Sequence, residues 1–177
     1  MDRPTFGHMK IEDHIDSDQE EVVEMLEEID TTVDETLTEL EDEIGSYDSL
    51  RAIDATELTD EEIDTAIEIL NPLDEEFYTW WDEVTSVVGK SVENPIVIIL
   101  ANLGDELNNC LRSLIDVEEI RALVEMIETD VCMNCGSSGL SSEFTTVSDT
   151  EVRLITCSSC DMECPIPLSR LEPYDLD

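Results

Sequence analysis

The chain has 177 residues, 47 of them acidic and 8 basic, for a formal net charge of −39. Hydrophobic residues still make up 41%, which excludes a wholly disordered acidic tail. The longest apolar run, "PIVIILANL" at 95–103, falls far short of the ~20 residues that span a bilayer, which excludes a membrane helix there.

Residues 1–18 read as a polar lead-in. They hold both histidines, His8 and His14, and show no secretory h-region. The chain is therefore expected to be cytoplasmic, with reduced thiols. Residues 19–44 turn helical. Val22, Leu26, Ile29, Val33, Leu37, Leu40 and Ile44 fall at steps of 4, 3, 4, 4, 3 and 4, an 11-residue repeat close to the natural helix period. So narrow a seam suits a helix packed on another helix, either in this chain or in a second copy as a homodimer.

"GSYDS" at 45–49 breaks that helix, and "TDEE" at 59–62 is a capping-box start with Thr59 as cap. A short helix follows through Ile63, Ala66, Ile67 and Leu70, and "NPLD" at 71–74 is expected to stop it and begin another. There Leu73, Phe77, Trp80, Trp81, Val84 and Val88 form the apolar stripe; the Trp pair anchors a core, with Trp81 the one that could serve recognition. Asn94 and Pro95 mark the next start, cap and first helical position. Helical spacing then runs from Ile96 to Leu114 despite Gly104, with Cys110 on its apolar face. "DVEE" at 116–119 reads as a fresh capping box. Residues 19–129 are thus expected to form an acidic all-α domain of about five helices.

At Asp130 the composition changes to serine, cysteine and short β-type runs. Four of the 6 cysteines fall into two CxxC pairs, Cys132/Cys135 and Cys157/Cys160. Four thiolates from two tight turns make a closed tetrahedral metal site. Gly136 supplies the positive φ that the first turn needs, and Asp161 stands at the same place in the second. Between the pairs, 144–147 and 151–156 read as strands around an "SDT" turn. Knuckle, hairpin and knuckle together resemble a rubredoxin-like zinc ribbon over about residues 130–165. That resemblance implies a structural Zn2+. Iron suits the same four thiolates less commonly, and an iron-loaded site would make an electron carrier. Some 35 residues cannot bury enough apolar surface alone, so the metal is expected to stand in for a core. Cys164 is a candidate alternative ligand, able to replace Cys160. Pro165 and Pro167 favour an extended tail after it, to residue 177.

The fold class expected is mainly α: a helical domain followed by a small β-hairpin ribbon. "GKS" at 89–91 lacks the first glycine of a phosphate loop, since position 84 is Val84, and "DSDQE" at 16–20 lacks the glycine of a calcium loop. With only two histidines, both in the lead-in, a Ser/His/Asp or Cys/His catalytic set is not expected, and the chain reads as a non-enzyme.

Lysine is nearly absent, only Lys10 and Lys90, and acid is spread along the chain. This composition resembles that of halophilic archaeal proteins. In dilute buffer such charge strains a fold by self-repulsion, whereas molar salt shortens the screening length to about 3 Å. A DNA mimic with carboxylates in place of phosphates is the competing reading. The ribbon resemblance, with transcription-linked roles common among ribbons, implies a non-catalytic adaptor or regulator with a protein partner. Direct nucleic-acid binding is the alternative, through Phe144, Arg153, Arg170 and Tyr174, the basic and stacking residues of the C-terminal segment.

Overall fold

A computed structural model describes residues 20–45, 47, 49–91 and 93–174. The lead-in with His8 and His14 lies outside the described residues. The chain runs α1 (Glu20–Ile44), α2 (Asp60–Val88), α3 (Pro95–Thr129), β1 (Ser141–Val147), β2 (Thr150–Cys157), β3 (Met162–Pro167) and α4 (Leu168–Leu171), with 3-10 turns at Leu50–Ala52 and Glu172–Tyr174. It is mainly helical, with a small antiparallel sheet near the C-terminus. The described residues form four α-helices: three in residues 20–129, where about five were expected, because two expected breaks are absent, and α4 near the C-terminus.

The first of these is at Pro72, which lies inside α2. Proline removes one helical hydrogen bond and costs ~3 kcal/mol in a helix interior. Leu70 and Leu73, on either side of it, are both buried, and burying two leucines offsets a cost of that size. The second is at "DVEE", where α3 continues without interruption. Val117 and Ile120 carry its buried stripe past Leu114, so the capping residues sit on a helix that packing sustains.

Other local signals hold. Thr59 caps α2: its Oγ1 accepts the Glu62 N–H, and the Glu62 carboxylate accepts the Thr59 N–H at 2.7 Å. Asn94 caps α3, its Oδ1 accepting the Ile96 N–H at 3.0 Å.

The chain divides into two compact units, residues 1–115 and 116–177. The packing division falls within α3, and the change of composition falls later, at Asp130. In the first unit α1 packs on α2, and Val22, Leu26, Ile29, Val33 and Leu40 of the seam are buried. The seam is therefore covered within the chain, and α1 leaves its acidic face exposed. Gly104 lets α3 approach α2: a Cβ there would lie 2.4 Å from Phe77 Cζ. Trp80 is buried and Trp81 half-buried, its ring 6.2 Å from that of Phe77. Cys110 is buried as a small apolar residue, and burial pushes its thiol up to about 11.

The second unit is a three-stranded sheet of order β1-β2-β3, antiparallel throughout. The hairpin turn places Ser148 and Asp149 at φ 50 and 66, the two positive values that a type I′ turn requires. The tail expected to be extended to residue 177 instead forms β3, which pairs with β2 from Cys157 opposite Met162 to Val152 opposite Pro167, and then turns helical in α4 and the 3-10 turn at Glu172–Tyr174. Two prolines are tolerated because β3 is an edge strand. This unit also has an apolar core of its own, which corrects the expectation of metal in place of a core. Ile120, Val124 and Met126 of α3 bury against Ile155, Ile166 and Leu171. The extra surface comes from the helix segment 116–129, which the 35-residue ribbon estimate left out.

Candidate metal centre

The first cysteine pair sits on a knuckle held by its own backbone. The Gly136 N–H donates to the Cys132 carbonyl at 2.7 Å, and the Cys132 N–H to the Ser137 carbonyl at 2.8 Å. Gly136 takes φ 69, the left-handed value its position demands. Asp130 closes the loop behind it: its two carboxylate oxygens accept the Gly139 and Leu140 N–H groups at 3.1 and 2.8 Å. The second pair lies where β2 turns into β3, with Asp161 at φ 54. Asparagine and aspartate tolerate this region better than most residues.

The two knuckles bring four sulfurs together. The Sγ atoms of Cys132, Cys135, Cys157 and Cys160 all lie within 4.8 Å of one another. Cys132–Cys160 and Cys135–Cys157 are each separated by 3.7 Å. A disulfide needs about 2.05 Å. A tetrahedral tetrathiolate with Zn–S of 2.3 Å has S···S edges of about 3.8 Å. The cysteines thus stand at ligand spacing, not bond spacing, and the donor set fits zinc or iron.

The environment is graded. Cys132 and Cys157 are buried, Cys160 is half-buried and Cys135 is exposed. The Ser137 side chain, and then its backbone, stabilise the Cys135 thiolate and bring its pKa down to about 6. Burial pushes Cys132 up to about 11. A bound divalent metal deprotonates coordinated thiols outright.

Supporting groups were invisible to motif reading. The Asn134 side-chain amide donates to Cys160 Sγ at 3.5 Å, tying one knuckle to the other. Met162 Sδ lies 3.8 Å from Cys132 Sγ. Such outer contacts orient thiolates in metal sites. Asn134 is the x of a CxxC, where the spacing says nothing about residue type.

Cys164 is apart from this cluster. It lies on β3 in register with Ile155 of β2 and packs half-buried against the apolar core, where burial raises its pKa. Its sulfur does not belong to the four-thiol group.

The four residues considered for nucleic acid separate into two pairs. Phe144 and Arg153 are register partners across β1 and β2, and the guanidinium carbon lies 5.8 Å from the ring centre. Arg153 Nε also donates to Ser142 Oγ at 2.9 Å. Arg170 and Tyr174 are committed elsewhere. Arg170 donates to the Asp116 carbonyl at 3.0 Å, and Tyr174 packs half-buried against the core.

No protein family, curated protein or solved structure that was compared matches this chain. Among the described residues, no helix is long and apolar enough to cross a membrane.

Proposed function

We propose that this chain is a non-catalytic zinc-binding adaptor or regulator, adapted to a high-salt cytoplasm, with a protein partner. The observation that carries the reading is the cluster of four sulfurs at 3.7 Å cross-knuckle spacing, which suits a structural zinc. A closed tetrathiolate keeps no position open for substrate, which favours a structural over a catalytic metal. The acidic helical unit has its own buried core, so the metal would staple the second unit and hold its surface in shape for a partner.

The deciding experiment is metal content by mass spectrometry on protein purified in molar KCl, with the absorbance spectrum alongside. One zinc per chain and no visible absorbance is the expected result. Iron with a red colour would replace the adaptor by an electron carrier. No metal, with free or oxidised thiols, would remove the ribbon reading altogether. The partner is then sought by pull-down from the source cell at high salt, with and without a chelator. Capture that is stoichiometric and zinc-dependent is expected, and its absence in both samples would overturn the adaptor role.

A further inference from the structure

The two edges of the small sheet are not alike. The β3 edge carries Pro165 and Pro167. Those are the devices by which proteins stop an edge from pairing with other chains. The β1 edge has none of them. "SSEFTTV" contains no proline and no lysine, its only charge is Glu143, and all seven residues are exposed. Phe144 is 69% exposed and Val147 43%.

The turn fixes which backbone groups are open. In an antiparallel ladder closed by a two-residue turn, the flanking pair, here Val147 and Thr150, exchanges hydrogen bonds. Alternation then points the N–H and C=O groups of Ser142, Phe144 and Thr146 away from β2. These groups stand at the outer edge, beside the exposed Phe144 ring with Arg153 over it.

We infer that β1 is a docking edge that takes an extended, basic segment of a partner protein as a fourth strand. Charge selects this occupant. Glu143 on the edge, Asp149 in the turn and Glu151 on β2 outnumber Arg153, and the chain as a whole carries −39. A second copy would set the carboxylates of its own hairpin against Glu143 and Glu151, and a nucleic acid would bring phosphates to a hairpin with one guanidinium. A segment with Lys or Arg beside Glu143 and an apolar residue beside Phe144 meets both features of the edge. Strand addition supplies main-chain hydrogen bonds, and side chains at alternate positions supply specificity. This inference rests on the adaptor reading and names the class of partner.

The test uses the full zinc-loaded chain, isotope-labelled, at the lowest KCl concentration at which it stays folded. The probes are two synthetic nine-residue peptides, one alternating Lys with Val and Phe, the other with Glu in place of each Lys. The expected result is amide shifts and exchange protection centred on Ser142, Phe144 and Thr146, with at least ten-fold tighter binding of the basic peptide. Thr146→Pro removes an outward donor and spares the β1–β2 ladder; it should weaken binding at least ten-fold with the Ile155 resonance unmoved. Phe144→Ser, which leaves the backbone intact, should do the same should the proline variant lose its hairpin. Equal binding of both peptides, or shifts outside β1, would overturn the inference. So would concentration-dependent shifts at β1 without peptide, which would assign the edge to a second copy, or tighter binding of a single-stranded oligonucleotide. With zinc bound and no peptide effect, the edge proposal fails alone, and a partner on the helical surface remains to carry the adaptor reading.

Discussion

The two units of this chain solve the same problem of stability by different means. The helical unit buries long aliphatic side chains from three helices, Leu26, Ile29, Leu40, Ile63, Leu70, Leu100, Leu107 and Leu114 among them, with almost no exposure. The C-terminal unit buries six residues in its main cluster and brings four thiols to ligand spacing. Burial of a leucine or isoleucine contributes roughly 1.5–3 kcal/mol, so a cluster of six is marginal against the entropy of some sixty ordered residues. A structural zinc contributes on the order of 10–16 kcal/mol in small domains. The contrast teaches that the same chain can hold one region by extensive burial and leave another with a small core beside a four-cysteine site that could bind a metal.

The sharpest way to break this comparison is to disable the four-cysteine site. Chelation, or Cys157→Ser, should cost the second unit more than its whole stability, given typical values of about 5–15 kcal/mol for entire domains. Its sheet resonances should collapse, and the amides of Ile120 to Met126 on α3 should lose exchange protection with them, because their apolar cover is gone. Resonances of residues 20–110 should persist. Intact sheet shifts after chelation would show that the six-residue core suffices alone.

The converse experiment attacks the helical unit. Leu100→Ala removes a fully buried side chain and should cost about 2–5 kcal/mol in urea unfolding of that unit. Zinc affinity, read by competition with a chromogenic chelator, should stay within two-fold. A parallel loss of zinc affinity would mean that the units are not energetically separable.

Smaller effects sharpen the picture. Gly104→Ala would push a methyl to 2.4 Å from the Phe77 ring, and such overpacking typically costs about 1–3 kcal/mol. Pairing it with Phe77→Leu should recover much of that loss, since the clash is with the end of one side chain. Simple additivity of the two changes would refute the contact. Asp130→Ala leaves the Leu140 N–H without its carboxylate and the Gly139 N–H with only the Asp130 carbonyl; these groups are exposed to water, so the loss should be about 0.5–1.5 kcal/mol, confined to the second unit.

The smallest effect concerns pH. Glu106 of α3 is held at 2.7 Å by Arg51; burial raises its pKa, and the guanidinium partly opposes the shift. A carboxyl raised in the folded state contributes stability that is complete below the unfolded value, about 4.3, and declines as pH rises through the folded value. Glu106→Gln should flatten the stability profile across that window and change little well below it. A variant profile parallel to the wild type throughout would remove Glu106 as its source.

Signals carried by near neighbours in the chain were legible from the letters alone. The two CxxC pairs, the positive φ at Gly136 and Asp161, the hairpin at Ser148–Asp149 and the caps at Thr59 and Asn94 all depend on residues a few positions apart. Their chemistry is complete within one turn. What the tertiary structure decided lies at longer range. Pro72 and "DVEE" look like breaks until buried Leu70, Leu73 and Ile120 outweigh them. The strand at Met162–Pro167 forms because β2 offers it a ladder, and Cys164 leaves the thiol cluster for the apolar core on that same strand. Breaking a helix and pairing a strand are both competitions between local cost and distant contact. A sequence prints the first term of that balance, and only the folded chain supplies the second.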